Sequence, residues 1–221
     1  MDGALQTMPE QLAERIYALI VAGRYPPGAR IREEEMSEIF GVSRGPVREA
    51  VRILERDSVV RVLPNKGAQV TLLSARELDN IFEIRRVLAG AMVRRLGAPQ
   101  PALEARFKSG VEQLERLAAD ADAGPYVAVS VNLLLTLAQA SGNGMFASVL
   151  RSLARQSWRY TQLALTDPRR RLQSAKNWRK LFEAIVRGES ELAVQAMEKL
   201  VDDARQGALK RLQADLGNEG A

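Results

Sequence analysis

"VSRGPVREAVR", residues 42–52, begins like a helix that opens badly and then continues well. Serine, arginine, glycine and proline stand at its mouth, and arginine recurs at every fourth place: Arg44, Arg48, Arg52 and Arg56. Ser43 is suited to cap free backbone N–H groups, and proline is tolerated in a first turn where no intrahelical donor is needed. Gly45 bares the backbone, and a helix N-terminus with free N–H groups attracts phosphate. Val47, Ala50, Val51 and Leu54 fall at core spacing on the other face.

Working outward, "EEEMSEIF" (33–40) reads as a short helix with Met36, Ile39 and Phe40 inward and Gly41 as its stop. "YPPGAR" (25–30) reads as a rigid turn, and residues 8–23 as a helix with Leu12, Ile16, Leu19 and Ile20 on one face. After Asp57-Ser58, the β-branched "VVRVL" and "AQVTL" flank "PNKG", a two-stranded ribbon turning at Pro64–Gly67. Three helices and a ribbon make a winged helix-turn-helix. From Ser74 onward the pattern is helical only, and residues 75–215 read as an all-helical bundle with a frayed "GNEGA" tail. The fold class is therefore mainly α, in two domains, residues 1–73 and 74–221.

Composition limits the function. The 221-residue chain carries a net charge of +5 and has neither cysteine nor histidine. Disulfides, thiol chemistry and the commonest general base and metal ligand are thus excluded. No P-loop or dinucleotide fingerprint is present, and Ser43 lacks any histidine to activate it, so an enzyme is not expected. No apolar run approaches the roughly 20 residues of a membrane span, and nothing resembles a signal peptide; the expected location is the cytoplasm.

The arginine row has two readings. It is a solvated face paired with Glu49 and Glu55, or it is a DNA-reading face. The acids of the first domain gather in "REEEMSE", whereas residues 42–66 carry a basic excess, and this focused patch favours DNA. Arg44 and Arg48 would then point into a major groove, with Arg52 and Arg56 as supporters. Lys66-Gly67 at the wing tip would reach a neighbouring groove or backbone.

"GVSRGPVREAVRILERDSVVRVLPNKGAQV", preceded by "YPPGARIREEEMSEIF", closely resembles the DNA-binding domain of GntR-family transcription regulators over residues 10–72. "LDNIFEIRRVL", "LAQASGN" and "FEAIVRGESELAVQAM" resemble the helical FCD effector domain of the FadR-like subgroup, over most of residues 75–210. The resemblance implies a homodimeric regulator, repressor or activator, on palindromic double-stranded operator DNA, with affinity altered by a small effector. Carried over by position, Arg44, Gly45 and Arg48 are base or groove contacts, Ser43 and Arg32 phosphate contacts, and Lys66-Gly67 the wing contact. Asp57-Ser58 replaces the family's usual acidic residue and glycine, a turn that serine can make.

Many FCD domains hold a divalent metal with one aspartate and three histidines. The matching positions here are Ser130, Leu134, Trp178 and Leu200, and the usual glutamate of the first effector-domain helix is Ala89. These are poor ligands or none, so no metal and no cofactor is expected. Arg85 stands where the family's pocket commonly opens. It either holds the carboxylate of an organic acid or pairs with an internal acid in a closed site. The bulky replacements either fill the former metal cavity or line a pocket for a more apolar effector. The remaining alternative is a constitutive DNA-binding protein whose helical domain only dimerises.

Overall fold

The computed structural model describes residues 6–63, 67–97 and 101–218, with side chains described to residue 214. It separates into two compact units, Met1–Leu73 and Ser74–Ala221.

In the first unit, helix α1 (Met8–Val21) starts in a capping box. Thr7 Oγ1 accepts from the Glu10 amide at 3.4 Å, and the Glu10 carboxylate accepts from the Thr7 amide at 2.7 Å. The short helix α2 (Glu33–Phe40) stops at Gly41, whose φ of 66° is left-handed and leads directly into helix α3 (Arg44–Arg56). Val47, Ala50, Val51 and Leu54 of α3 are buried with Leu12, Ile16 and Met36 in one apolar core.

The ribbon gains a strand over the two expected. β2 (Val60–Leu63) and β3 (Gly67–Val70) pair antiparallel, and β1 (Arg30–Ile31) adds on the far side of β3, giving the order β1-β3-β2. Two residues carry no readable alternation, which is why this stretch looks like a mere extension of the turn. The register puts Arg30, Gln69 and Arg61 in one cross-strand row, while Ile31, Ala68, Val60 and Val70 face the core. Residues 64–66, and with them most of the expected turn, lie outside the described residues. Ser58 does make the turn before β2, at a φ of 57°, and donates its N–H to Glu55 O.

The second unit is all-helical among the described residues. It comprises α4 (Ala75–Arg94), α5 (Pro101–Leu117), α6 (Gly124–Ala140), α7 (Gly144–Ala164), α8 (Pro168–Val186) and α9 (Ser190–Asn218). A second capping box, Ser74 with Glu77, opens α4. Leu78, Phe82, Arg85, Ala89 and Met92 are buried along one face of α4, four or three residues apart. Helix α9 packs along α4, and Arg205 clamps Asp79 at 2.6 and 2.9 Å. The arginine holds the Asp79 carboxyl below its ordinary range by hydrogen bonding.

Arg171 looks like part of an exposed "RRR" run yet is fully buried. Its guanidinium donates to the backbone carbonyls of Ala118, Asp120, Leu165 and Thr166, tying the ends of α5 and α7 to α8. Each of its nitrogens thus meets a carbonyl dipole, the condition for tolerating a buried cation. A signal was present in the sequence: Arg171 shares the buried face of Ala175, Trp178 and Phe182 at helical spacing.

Candidate nucleic-acid interface and effector cavity

The mouth of α3 is open. Ser43, Arg44, Gly45 and Arg48 are exposed, and a Cβ added at Gly45 would meet nothing within 4 Å. Ser43 is the N-cap residue by its extended backbone, φ −69° and ψ 164°, but its side chain makes no capping hydrogen bond. The expected serine cap is therefore absent. The hydroxyl stays at the surface, so it caps neither the Arg44 nor the Gly45 amide, and Pro46 has no N–H to satisfy.

Arg44, Arg48 and Arg52 of the arginine row are paired, the first two across helices. Arg44 Nη2 lies 2.7 Å from Glu34, and the Arg48 guanidinium donates to both carboxylate oxygens of Glu33. Glu33 stabilises the charged form of Arg48 and raises its pKa further. Arg52 pairs within its own helix with Glu49 at 2.9 Å. Glu35, the third acid of the run, accepts a hydrogen bond from the hydroxyl of Tyr25. Burial, then this hydrogen bond, pushes the Tyr25 phenol up to about 12. Arg32 is the exposed N-cap residue of α2. Gly67 opens β3 with φ 74°, a backbone that only glycine adopts without strain, whereas Lys66 lies outside the described residues.

In the second unit, Arg85, Ser130, Leu134, Trp178 and Leu200 line a single cavity of 350 Å³. The large side chains thus border an open space rather than fill it. Arg85 has no internal acid as partner among the described residues. Its Nη1 donates to Ser157 Oγ at 2.9 Å, its guanidinium carbon lies 4.8 Å from the Phe82 ring centroid, and its Nε has no acceptor. Burial lowers the Arg85 pKa to about 10. Thr161 Oγ1, also on the cavity wall, is buried without a hydrogen-bond partner. Arg169, Arg170 and Lys199 join the lining against the single acid Asp203, which is already bound to Lys199 and to Asn177. Sequence reading missed this cationic set, because Arg169 and Arg170 look like a solvated run and Lys199 sits a helix away.

The cavity does not fit a divalent metal. Of the four positions matched to metal ligands, only Ser130 carries an oxygen, and that hydroxyl donates to Tyr126 O at 3.0 Å. Among the described residues no three His, Cys, Asp or Glu side chains come together elsewhere as a ligand set.

A winged helix-turn-helix unit joined in sequence to a helical unit with an internal cavity is the architecture of a DNA-binding transcription regulator with a sensing domain. Residues 9–70 match the model of bacterial regulatory proteins of the gntR family, and residues 80–203, more than half the chain, match the FCD domain. The chain belongs to the GntR family, in its FCD-containing branch, and this is a family of transcriptional regulators, not of enzymes.

Among relatives, the HTH-type transcriptional regulator YdhC of Bacillus subtilis is 39% identical over 34% of this chain and 34% of its own length. The chain thus matches only about a third of that relative, and 54% of a second one from Agrobacterium vitis. A protein of Paenarthrobacter nicotinovorans described as a probable D-xylose utilization operon transcriptional repressor is 25% identical over 86% of this chain and 84% of its own. E. coli McbR/YncC shares the fold with a TM-score of 0.84 at 19% identity, covering 94% of this chain and all of that one. A GntR regulator from Rhodococcus sp. RHA1 superimposes with a TM-score of 0.79 at 22% identity, covering 93% and 99%. Among the described residues no helix is long and apolar enough to cross a membrane.

Proposed function

We propose that the chain is a homodimeric, cytoplasmic repressor that reads a palindromic operator with α3 and releases or tightens it on binding a small organic acid, without a metal. The observation that carries the DNA half is the uncapped, exposed N-terminus of α3 with Arg44 and Arg48 beside it. In this reading Arg44, Gly45 and Arg48 meet base edges or the groove, Ser43 and Arg32 meet phosphate, and Lys66-Gly67 meets the flanking backbone. Repression is supported by the name of the Paenarthrobacter relative and by the gluconate operon transcriptional repressor of B. subtilis, 33% identical over 39% of this chain.

The effector half rests on Arg85, a buried cation without a carboxylate, on the wall of a cavity that combines apolar side chains with the cations Arg169, Arg170 and Lys199. A carboxylate there supplies the missing counter-charge and accepts from Nε, and the Leu134, Trp178 and Leu200 side chains cover an apolar body. A panel of small organic acids tested by thermal shift and by operator binding examines this. The expected result is a concentration-dependent rise in Tm that changes operator affinity and vanishes in Arg85→Met. No rise with any acid would leave a constitutive DNA-binding protein.

A further inference from the structure

We infer that Glu33 is a positioning residue for DNA recognition: it grips Arg48 by one edge of the guanidinium and leaves the opposite edge to a guanine. The inference rests on the proposed reading of Arg48 as a base contact.

The geometry is specific to the edge. Arg48 Nε lies 3.2 Å from each oxygen of Glu33, and Nη2 lies 3.0 Å from Oε2. This side-on pairing uses the Nε proton and the Nη2 proton beside it. The remaining Nη2 proton and both Nη1 protons point away from Glu33, and none of them has an acceptor among the described residues. Two of these, one on each Nη, form the end-on fork that matches guanine O6 and N7. Arg48 is still 57% exposed, so the fork is accessible, while Glu33 is only 32% exposed. The holder is thus the more enclosed partner, fixed at the first turn of α2, where the helix dipole favours a carboxylate.

Two effects follow from one contact. Holding the guanidinium before DNA arrives reduces the side-chain ordering that recognition requires, which strengthens binding only where the fork finds its guanine. Pairing it with a carboxylate also removes one positive charge from the sequence-independent attraction to phosphates. Glu33 therefore raises affinity for the right site and lowers it for the wrong ones. Arg44 shows the contrast: it meets Glu34 by one 2.7 Å contact, with both side chains 63% exposed, which fixes no orientation.

The test uses the full-length chain, a duplex it selects from a random library, and a random-sequence duplex, each titrated across salt. Glu33→Gln keeps the side chain's shape and removes its charge. Its affinity for the selected duplex is expected to fall by about threefold to tenfold. Its affinity for the random duplex is expected to rise, with a salt slope steeper by about 1. Glu38→Gln removes the same charge from an exposed position of α2 and is expected to leave the ratio of the two affinities unchanged. Equal changes on both duplexes, or Glu38→Gln reproducing Glu33→Gln, would overturn the positioning role and leave a general charge effect. Arg48→Ala separates the two levels: if it leaves the selected-duplex affinity intact, the base-reading role itself fails.

Discussion

Arg85 donates from Nη1 to Ser157 Oγ at 2.9 Å while its Nε faces no acceptor, although its guanidinium is buried between α4 and α7. A lone hydroxyl and the Phe82 face are thin compensation for a desolvated cation. Folding therefore disfavours the charged form, and the pKa of about 10 lies below the ordinary arginine value. That deficit is fully present below pH 10 and is recovered as the pH rises beyond it. Arg85→Met is accordingly expected to be as stable as wild type or more so at pH 7.5, with the difference shifting towards wild type above about pH 10. Thermal melts of both proteins across this range check it. A large loss of Tm in Arg85→Met at pH 7.5 would make Arg85 a structural strut instead.

Gly41 sits between α2 and α3 at φ 66°, with open space where a Cβ would go. Its role is conformational and not steric. Gly41→Ala is expected to destabilise the first unit by about 1 kcal/mol through the left-handed backbone, and Gly41→Asn by less. Chemical denaturation followed by circular dichroism measures both; equal stability of Gly41→Ala and wild type would contradict the argument.

The Asp79–Arg205 clamp joins α4 to α9, and its carboxyl is held below the ordinary range chiefly by the arginine hydrogen bonds. A depressed carboxylate contributes stability above its unfolded pKa and loses it as the pH falls. Asp79→Asn is thus expected to cost little, less than about 1 kcal/mol at pH 7 because both side chains are more than a third exposed. The difference from wild type is expected to fade below about pH 4. A difference that persists at acid pH would assign Asp79 a packing role.

Much of this was legible in the sequence, for reasons that differ by site. Val47, Ala50, Val51 and Leu54 repeat at helical spacing, so the buried face of α3 follows from periodicity. The cavity set is another matter. Arg85, Ser130, Leu134, Trp178 and Leu200 come from four helices, and no spacing along the chain brings them together; family resemblance supplied that grouping. Ser43 was misread because a suitable cap residue does not guarantee the cap, and its side chain makes no such bond here. The links of Glu33 and Glu34 to the α3 arginines were hidden because paired and free surface charges look alike in a sequence, whereas the burial of Arg171 could have been read from its place on the apolar face of α8.

The substituted metal positions carry their own expectation. Leu134, Trp178 and Leu200 offer no donor for a divalent ion, and Ser130 is engaged with Tyr126 O. Dialysis against EDTA is expected to leave Tm unchanged, and zinc, nickel or manganese to raise it by nothing measurable. A saturable rise with one equivalent of metal would contradict this directly.

The central claim is that the α3 mouth reads DNA by sequence. Selection of duplexes from a random library by the full-length chain, repeated with Arg44→Ala and Arg48→Ala, tests it most directly. Wild type is expected to enrich an inverted repeat, and each variant to lose about tenfold or more in preference for it over random duplex. No enriched sequence with wild type, or equal losses on selected and random duplexes in both variants, would contradict the account.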